Sequence, residues 1–199
     1  LQQDPAVRAQ PSLEELRMNG ITILPWEFHE SLHLPYLQEA LGGYLLLPLS
    51  VRPVQQPLDF ALDPRRGQYH STRIIEKALE IDPPDGGKRL ALVDRDLFIP
   101  ILTFVFGEAQ LGGAGAVVSS ARLKNEFHGR PPDPIALRER LLKELVHELG
   151  HTFGLRHCAA ADCVMFSSHD LEDTDAKEHR FCSVCLDRFL ASRQIFQAD

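Results

Sequence analysis

The chain has 199 residues, of which 44% are hydrophobic and 25% are charged, and this is the composition of an ordinary globular protein. It carries 21 basic and 28 acidic residues, and the formal net charge of −7 argues against a general nucleic-acid binder. The longest apolar run, Phe98–Phe106, is far shorter than the roughly 20 residues that span a membrane. We therefore expect one domain over residues 1–199 with no nucleic-acid partner and no membrane partner.

The start of the chain predicts a location. Residues 1–19 are expected to form an extended segment, and residues 1–12 are polar, without the apolar stretch of a signal peptide. We therefore expect a cytoplasmic protein, and we expect a monomer. In that compartment cysteines stay reduced, which favours metal or redox chemistry for the four cysteines of this chain.

The hydrophobic pattern alternates between strands and helices, which predicts an α/β domain with a small twisted mixed sheet. The predicted elements, in chain order, are strand 20–26, helix 32–41 ended by Gly42 and Gly43, strand 44–51, loop 57–67, helix 71–79, loop 82–87, strand 89–93, a β-like segment 102–106 and a C-terminal helix 183–194.

A glycine-rich segment at 111–120 continues into β-branched residues and is typical of a strand. Glycines within a strand indicate that another backbone comes close. An exposed sheet edge can bind an extended peptide as an added strand. We therefore predict that residues 113–120 form an edge strand that lines a cleft.

The strongest helix signal covers residues 133–153. Asp133 is a good N-cap, and Pro134 suits the first helical position. Leu141, Leu145 and Leu149 recur at every fourth position, which predicts one buried face.

The second half of this helix carries a pattern that can bind zinc. His147 and His151 lie four residues apart, so a helix places both imidazoles on one face, with Glu148 beside them. Gly154 can adopt the positive φ that ends a helix, and the returning chain can bring His157 to the same ion. Three protein ligands leave one position open, as in a catalytic zinc site. The alternative is a set of ordinary histidines on an amphipathic helix.

We expect the remaining histidines to be solvated or structural: His29, His33, His70, His128, His169 and His179.

The four cysteines form two pairs with the spacing of metal clips. Cys158 precedes Cys163 by five positions, and Cys182 precedes Cys185 by three. Four thiolates can form a closed tetrahedral zinc site in the region 158–185, which stabilises structure. Two disulfides, four reduced thiols, or a redox pair at Cys182 and Cys185 are the alternatives.

Together these motifs resemble the archaemetzincin family of zinc metallopeptidases, within the metzincin clan. The resemblance rests on the string HELGHTFGLRHC at 147–158, followed by Cys163, Met165 and the final cysteine pair. Upstream, RGQY at 66–69, DLFIP at 96–100 and TFVFGEAQ at 103–110 are also similar to that family.

The resemblance implies roles for individual residues and two zinc ions per chain. Glu148 would be the general base that accepts a proton from a water activated by zinc, and Met165 would lie beneath the catalytic site. The ligands would be His147, His151 and His157 for the catalytic zinc, and Cys158, Cys163, Cys182 and Cys185 for the structural zinc.

The resemblance also implies hydrolysis of peptide or protein substrates, with aminopeptidase activity as one form of it. An aminopeptidase also needs an acid for the free amine, and Glu108, Asp94 and Asp96 are candidates. The alternative is a zinc-stabilised module that binds a peptide on its edge strand with little or no turnover, and a zinc hydrolase of non-peptide amides is a third reading. The presence of Glu148 favours an enzyme.

Overall fold

A mostly parallel sheet forms the centre of the protein. The computed structural model describes residues 20–82 and 86–196 and the side chains up to residue 193. The segment 1–19 lies outside the described residues. The strands are β1 Ile21–Trp26, β2 Leu49–Val51, β3 Leu62–Asp63, β4 Gln68–His70, β5 Lys88–Val93, β6 Leu97–Phe98, β7 Gly107–Ala109 and β8 Gly115–Ser119. The helices are α1 Leu34–Leu45, α2 Ser71–Ile81, α3 Pro134–Thr152, α4 Leu171–Ala176 and α5 Ser183–Phe196.

The main sheet has the strand order β2-β1-β5-β8-β7. Its first four strands are parallel, and β7 pairs antiparallel with β8. A second, smaller sheet has the order β3-β4-β6. The predicted α/β class with a mixed sheet is therefore confirmed.

Helices cover both faces of the main sheet, so side chains that alternate along one strand enter two separate cores. In β5, Leu90 and Leu92 pack in the core that includes α1 and α3, whereas Ala91 and Val93 pack in the core that includes α2. All six residues of β1 and all six of β5 are buried. Burial on both sides explains why these strands are almost continuously apolar.

The predictions for α2, β1 and β5 agree with the structure to within one or two residues, but the region between β1 and β2 differs. Helix α1 continues through Gly42 and Gly43 and ends at Leu45, followed by the capping residue Leu46, which has a left-handed φ of 51°. The predicted strand 44–51 is thereby reduced to its last three residues. Leu41 and Leu45 are fully buried on one helix face, and this burial outweighs the cost of about 1 kcal/mol for each helical glycine.

The prediction that residues 113–120 form an edge strand was wrong. Strand β8 lies inside the sheet between β5 and β7, and the edge strand is β7. The close approach that its glycines indicated is made by a helix. A Cβ on Gly115 would lie 2.5 Å from Cγ2 of Ile75 in α2.

Two further segments differ from their predictions. The predicted loop 57–67 contains a 3₁₀ turn at Asp59–Ala61 and the strand β3. The β-like segment 102–106 makes only one bridge, between Leu97 and Val105, and otherwise forms a loop. Of the predicted break at 82–87, residues 83–85 lie outside the described residues. In the part of the chain that the structure describes, no helix combines the length and apolarity that crossing a membrane requires.

Candidate metal centres and active-site cleft

Helix α3 is fixed at both ends by local interactions that the sequence encodes. At its start, Oδ1 of Asp133 accepts hydrogen bonds from the backbone N–H groups of Ile135 and Ala136, at 3.1 and 2.9 Å. At its end, Gly154 has a φ of +84°, and Leu155 N–H donates to the Gly150 carbonyl at 3.0 Å. The chain turns back at this glycine, as its position after the last helical turn predicts.

The returning chain brings three histidines together. The ring centroid of His157 lies 5.3 Å from that of His147 and 5.0 Å from that of His151. One ligand nitrogen from each of the three lies within 4.8 Å of the other two. The structure thus gathers the predicted ligand set at one point.

Backbone carbonyls determine the tautomers of the two helical histidines. His147 Nδ1 donates to the Val164 carbonyl and His151 Nδ1 donates to the Leu155 carbonyl, both at 2.7 Å. A carbonyl only accepts, so each ring carries its proton on Nδ1 and presents the lone pair of Nε2. Outer hydrogen bonds of this kind are typical of histidines that bind metals.

The two Nε2 atoms face each other at 3.1 Å. Two lone pairs at that distance repel, and a cation between them removes the repulsion. Tetrahedral zinc with bonds of about 2.0–2.1 Å would separate its two nitrogens by roughly 3.3 Å. Burial, and secondarily the charge of Lys177, lower the pKa of His147. The donor set therefore fits a zinc ion.

Glu148 lies beside this point in a buried environment. Burial, followed by the nearby Glu144 carboxylate, raises the pKa of Glu148 well above its usual range. The edge strand β7 comes very close to it. A Cβ on Gly107 would lie 2.6 Å from Cγ and 2.7 Å from Oε1 of Glu148. Sequence reasoning gave no role to Gly107, because the contact joins residues that are distant along the chain.

A cleft of about 710 Å³ opens in front of the histidines. It follows the outer side of β7, and its walls come from the loop between β6 and β7 and from residues after α3. Its lining includes Phe104, Phe106, Leu111, Glu108, Glu144, Glu148, Arg156, Ser167, Ser168 and His169.

Of the three acids considered for a free amine, only Glu108 lines this cleft. Its carboxylate accepts hydrogen bonds from the hydroxyls of Ser71 and Thr72. Asp94 instead pairs with Lys124 at 2.7 Å, and Asp96 pairs with an arginine outside the cleft. Among the histidines expected to be solvated or structural, His169 lines the cleft.

The four cysteines also converge, on the other side of the loop that follows α3. All four are free thiols, and their sulfurs lie within 4.8 Å of one another. The sulfurs of Cys158 and Cys182 are 3.8 Å apart. This distance is too long for a disulfide and equals the spacing of about 3.8 Å for two thiolates on one tetrahedral zinc.

Met165 and its neighbour connect the cysteine cluster to the histidines. A Cβ on Gly150 would lie 2.5 Å from Sδ of Met165, so the thioether packs directly against α3. The carbonyl of Val164, one residue earlier, orients His147. On the other side, the backbone N–H of Cys182 donates to the sulfur of Cys163 at 3.3 Å.

A buried ion pair also lies beneath the cleft. Lys177 is inaccessible to solvent, and its Nζ lies 3.0 Å from Oε1 of Glu144. Glu144 precedes Glu148 by one helical turn, and this spacing is the sequence signal that could have identified it. Nothing local to Lys177 indicates that it is buried.

Three neutral imidazoles around one point, next to a buried carboxylate and open to a cleft along a sheet edge, form a site typical of zinc-dependent metallopeptidases. Comparison with protein families agrees with this class. Residues 77–190 match the model of Peptidase family M54. The chain is 40% identical to the archaemetzincin of Methanocaldococcus jannaschii over 158 residues, which cover 79% of this chain and 83% of that protein. The chain therefore belongs to the archaemetzincin family of zinc-dependent metallopeptidases.

Solved structures agree with the fold. A zinc-dependent peptidase from Methanocorpusculum labreanum superimposes with a TM-score of 0.77 at 31% identity, covering 85% of this chain and 100% of that chain. An archaemetzincin from Methanopyrus kandleri has the same TM-score at 32% identity, covering 89% of this chain and 97% of that chain.

Proposed function

We propose that this member of the family hydrolyses peptide bonds with a catalytic zinc held by His147, His151 and His157 and with Glu148 as the general base. The observation that carries the proposal is the pair of Nε2 lone pairs that face each other at 3.1 Å beside the cleft. Because both Nε2 atoms are acceptors, they cannot form a hydrogen bond with each other, but both can bind a metal ion. The cleft along β7 gives an extended peptide an edge strand to pair with.

When bound, the zinc would supply a Lewis acid that lowers the pKa of a water molecule and polarises the scissile carbonyl. Glu148 would accept a proton from the attacking water and then donate it to the leaving amine. Burial raises the pKa of Glu148, and the positive charge of a bound zinc would favour the ionised form that a general base needs. Gly107 leaves the space in which the Glu148 carboxylate can lie between helix and strand.

The four cysteines are proposed to hold a second, structural zinc. Cys163 and Cys185 are almost fully buried, and their environment raises the pKa of both thiols. Binding a dication would offset the cost of forming thiolates there. Elemental analysis of dialysed protein is expected to give two zinc ions per chain. A value of zero, with two disulfides by mass, would contradict both assignments.

Aminopeptidase activity is the finer part of the proposal, with Glu108 as the acid that receives the free α-amine. It is supported by the position of Glu108 in the cleft. The test compares each peptide with its N-acetylated form. An aminopeptidase cleaves only the free form and Glu108→Gln weakens it, whereas equal cleavage of both forms would show an internal peptidase.

The experiment that tests the function itself is hydrolysis of a diverse peptide library, with and without a chelator. We expect cleavage that the chelator abolishes and that added zinc restores. Binding of peptides without any cleavage would instead support the peptide-binding module with little turnover.

A further inference from the structure

The charged side chains that line the cleft differ in whether they have partners. The carboxylate of Glu108 accepts hydrogen bonds from two hydroxyls, and Glu144 pairs with Lys177. Glu148 is enclosed against β7. These three acids are therefore already surrounded by groups that fix them.

Arg156 differs from these acids. It is exposed, it lines the same cleft, and it makes no ion pair and no hydrogen bond with any described residue. Arg156 directly precedes His157, so its backbone is held by the turn that positions the third histidine.

A second polar group that lines this cleft also lacks a partner. Oγ of Ser168 is buried and has no hydrogen-bond partner among the described residues, and Ser168 lines the cleft with Ser167. Nδ1 of His169, the next residue, lies 3.4 Å from a carboxylate oxygen of Asp173, so this ring already has a partner. A buried hydroxyl without a partner costs free energy unless something binds to it.

We propose that Arg156 and Ser168 form a subsite for a carboxylate of the peptide substrate, and this inference rests on the proposed function. A guanidinium stays charged at every accessible pH and binds a carboxylate through two parallel hydrogen bonds. A serine hydroxyl supplies a further donor. The carboxylate belongs either to an aspartate or glutamate side chain close to the scissile bond or to the C-terminus of a short peptide.

The first test measures kcat/KM for matched peptides with Asp or Asn, and Glu or Gln, at each position around the cleaved bond. A second pair compares the free C-terminal acid with the C-terminal amide. In the wild type, the acidic member of one pair is preferred, and that pair identifies the source of the carboxylate. Arg156→Met lowers the acid-to-amide ratio of that pair by at least about tenfold, as expected for hydrogen bonds to a charged group.

Two further variants make the result specific. If the preferred pair is a side-chain pair, Arg156→Glu is expected to reverse the preference towards lysine at that position. If it is the C-terminal pair, Arg156→Glu is expected to reverse the preference towards the amide. Arg188→Met removes an exposed arginine on α5 outside the cleft, and it should leave the ratio unchanged. A ratio that is unaffected by Arg156→Met, or an equal loss for every peptide, would overturn the subsite.

Measurements of peptide affinity test the carboxylate subsite independently of whether the protein cleaves peptides. Fluorescence anisotropy with the same labelled peptides measures Kd for the zinc-loaded Glu148→Gln protein, with and without Arg156→Met. A preference for the acidic peptide that disappears with Arg156→Met supports the subsite even if no peptide is ever cleaved. Equal Kd values for acidic and amide peptides overturn it even if the protein is an active peptidase.

Discussion

The two candidate metal sites lie on either side of Met165 but differ in exposure. Among the histidines, His147 is buried, His151 is half-buried and His157 is exposed, so this site opens into the cleft. Among the cysteines, Cys163 and Cys185 have only 1% and 2% of their surface exposed, Cys158 and Cys182 are half-buried, and none is exposed. An open site can exchange its metal and receive a substrate, whereas a closed site contributes its binding energy to folding.

The comparison also shows how one site depends on the other. The cysteine cluster holds the backbone at 163–165, and the Val164 carbonyl in turn orients His147. Helix α3, which carries His147 and His151, is fixed independently by its N-cap Asp133 and by the turn at Gly154. Losing the cysteine metal should therefore disturb the histidines, whereas losing the histidine metal should leave the cysteines in place.

The largest expected effect is a loss of peptide hydrolysis without a loss of zinc at the histidine site. Glu148→Gln removes the proposed base without removing a ligand, so zinc content and melting temperature are retained. Peptide hydrolysis should fall by roughly 10²–10⁴-fold, the usual contribution of a positioned general base. Glu76→Gln, at an exposed position of α2, is the matched control and should leave the rate unchanged. Full activity in Glu148→Gln would mean that another residue is the base.

A second variant tests whether the buried ion pair of Lys177 and Glu144 stabilises the protein in addition to the proposed metal ions. Lys177→Met leaves Glu144 buried without its partner, which typically costs about 3–5 kcal/mol of unfolding free energy. Adding Glu144→Gln to the same chain should recover most of that loss, as measured by urea denaturation of the zinc-loaded protein.

The matched control for that variant is an exposed ion pair. Lys77 lies 2.8 Å from Glu80 on the surface of α2, and Lys77→Met should cost less than about 1 kcal/mol. Equal losses for Lys177→Met and Lys77→Met would show that the buried pair contributes nothing special.

A smaller effect is confined to the open site. Gly107→Ala places a methyl group 2.6 Å from Cγ of Glu148 and 2.8 Å from the backbone oxygen of Val117 in β8, so the Glu148 side chain and the pairing of β7 with β8 must shift, while the cysteines are untouched. We expect kcat to fall about tenfold or more with both metals retained, since misplacing a catalytic group is costly. Gly43→Ala is the control, because its Cβ would meet nothing within 4 Å. Comparable losses in both variants would point to a general effect of replacing glycine.

The last effect concerns stability alone and lies at the C-terminal end of α3. Nζ of Lys88 donates to the carbonyls of Gly113 and Thr152, and burial lowers the pKa of Lys88 from 10.5 to about 8. The folded protein therefore binds this proton less tightly than the unfolded chain does. Stability from this group should rise between about pH 8 and pH 10.5, by at most about 3 kcal/mol.

Lys88→Met provides the comparison for this pH dependence. The unfolding free energy of the zinc-loaded wild type, measured at pH 8, 9 and 10, should rise relative to that of Lys88→Met. A constant difference between the two proteins across this range would contradict the lowered pKa.

Local spacing was sufficient to predict the parts of the site that local geometry controls. Asp133 caps α3, and Gly154 takes the positive φ that its place after the last helical turn requires. The spacing of His147 and His151 needs only a helix to bring the rings together. These features do not depend on the rest of the fold.

Other features depend on the tertiary structure and could not be predicted. The glycines of β8 correctly indicated a close approach, but only the fold shows that α2 is the neighbour and that β7 is the edge. The contact of Gly107 with Glu148 joins residues 41 positions apart in sequence, and the burial of Lys177 depends on Glu144. Such contacts leave no periodic signal in a single chain.

One paired measurement tests most directly the claim that the cysteine site supports the histidine site. Melting curves and zinc counts are recorded for Cys182→Ser and His151→Ala. Cys182→Ser should lower the melting temperature and reduce zinc at both sites, because the Val164 carbonyl loses its support. His151→Ala should lose one zinc and all peptidase activity with a much smaller change in melting temperature. If His151→Ala unfolds the protein while Cys182→Ser has no effect, the structural and catalytic roles of the two sites are reversed.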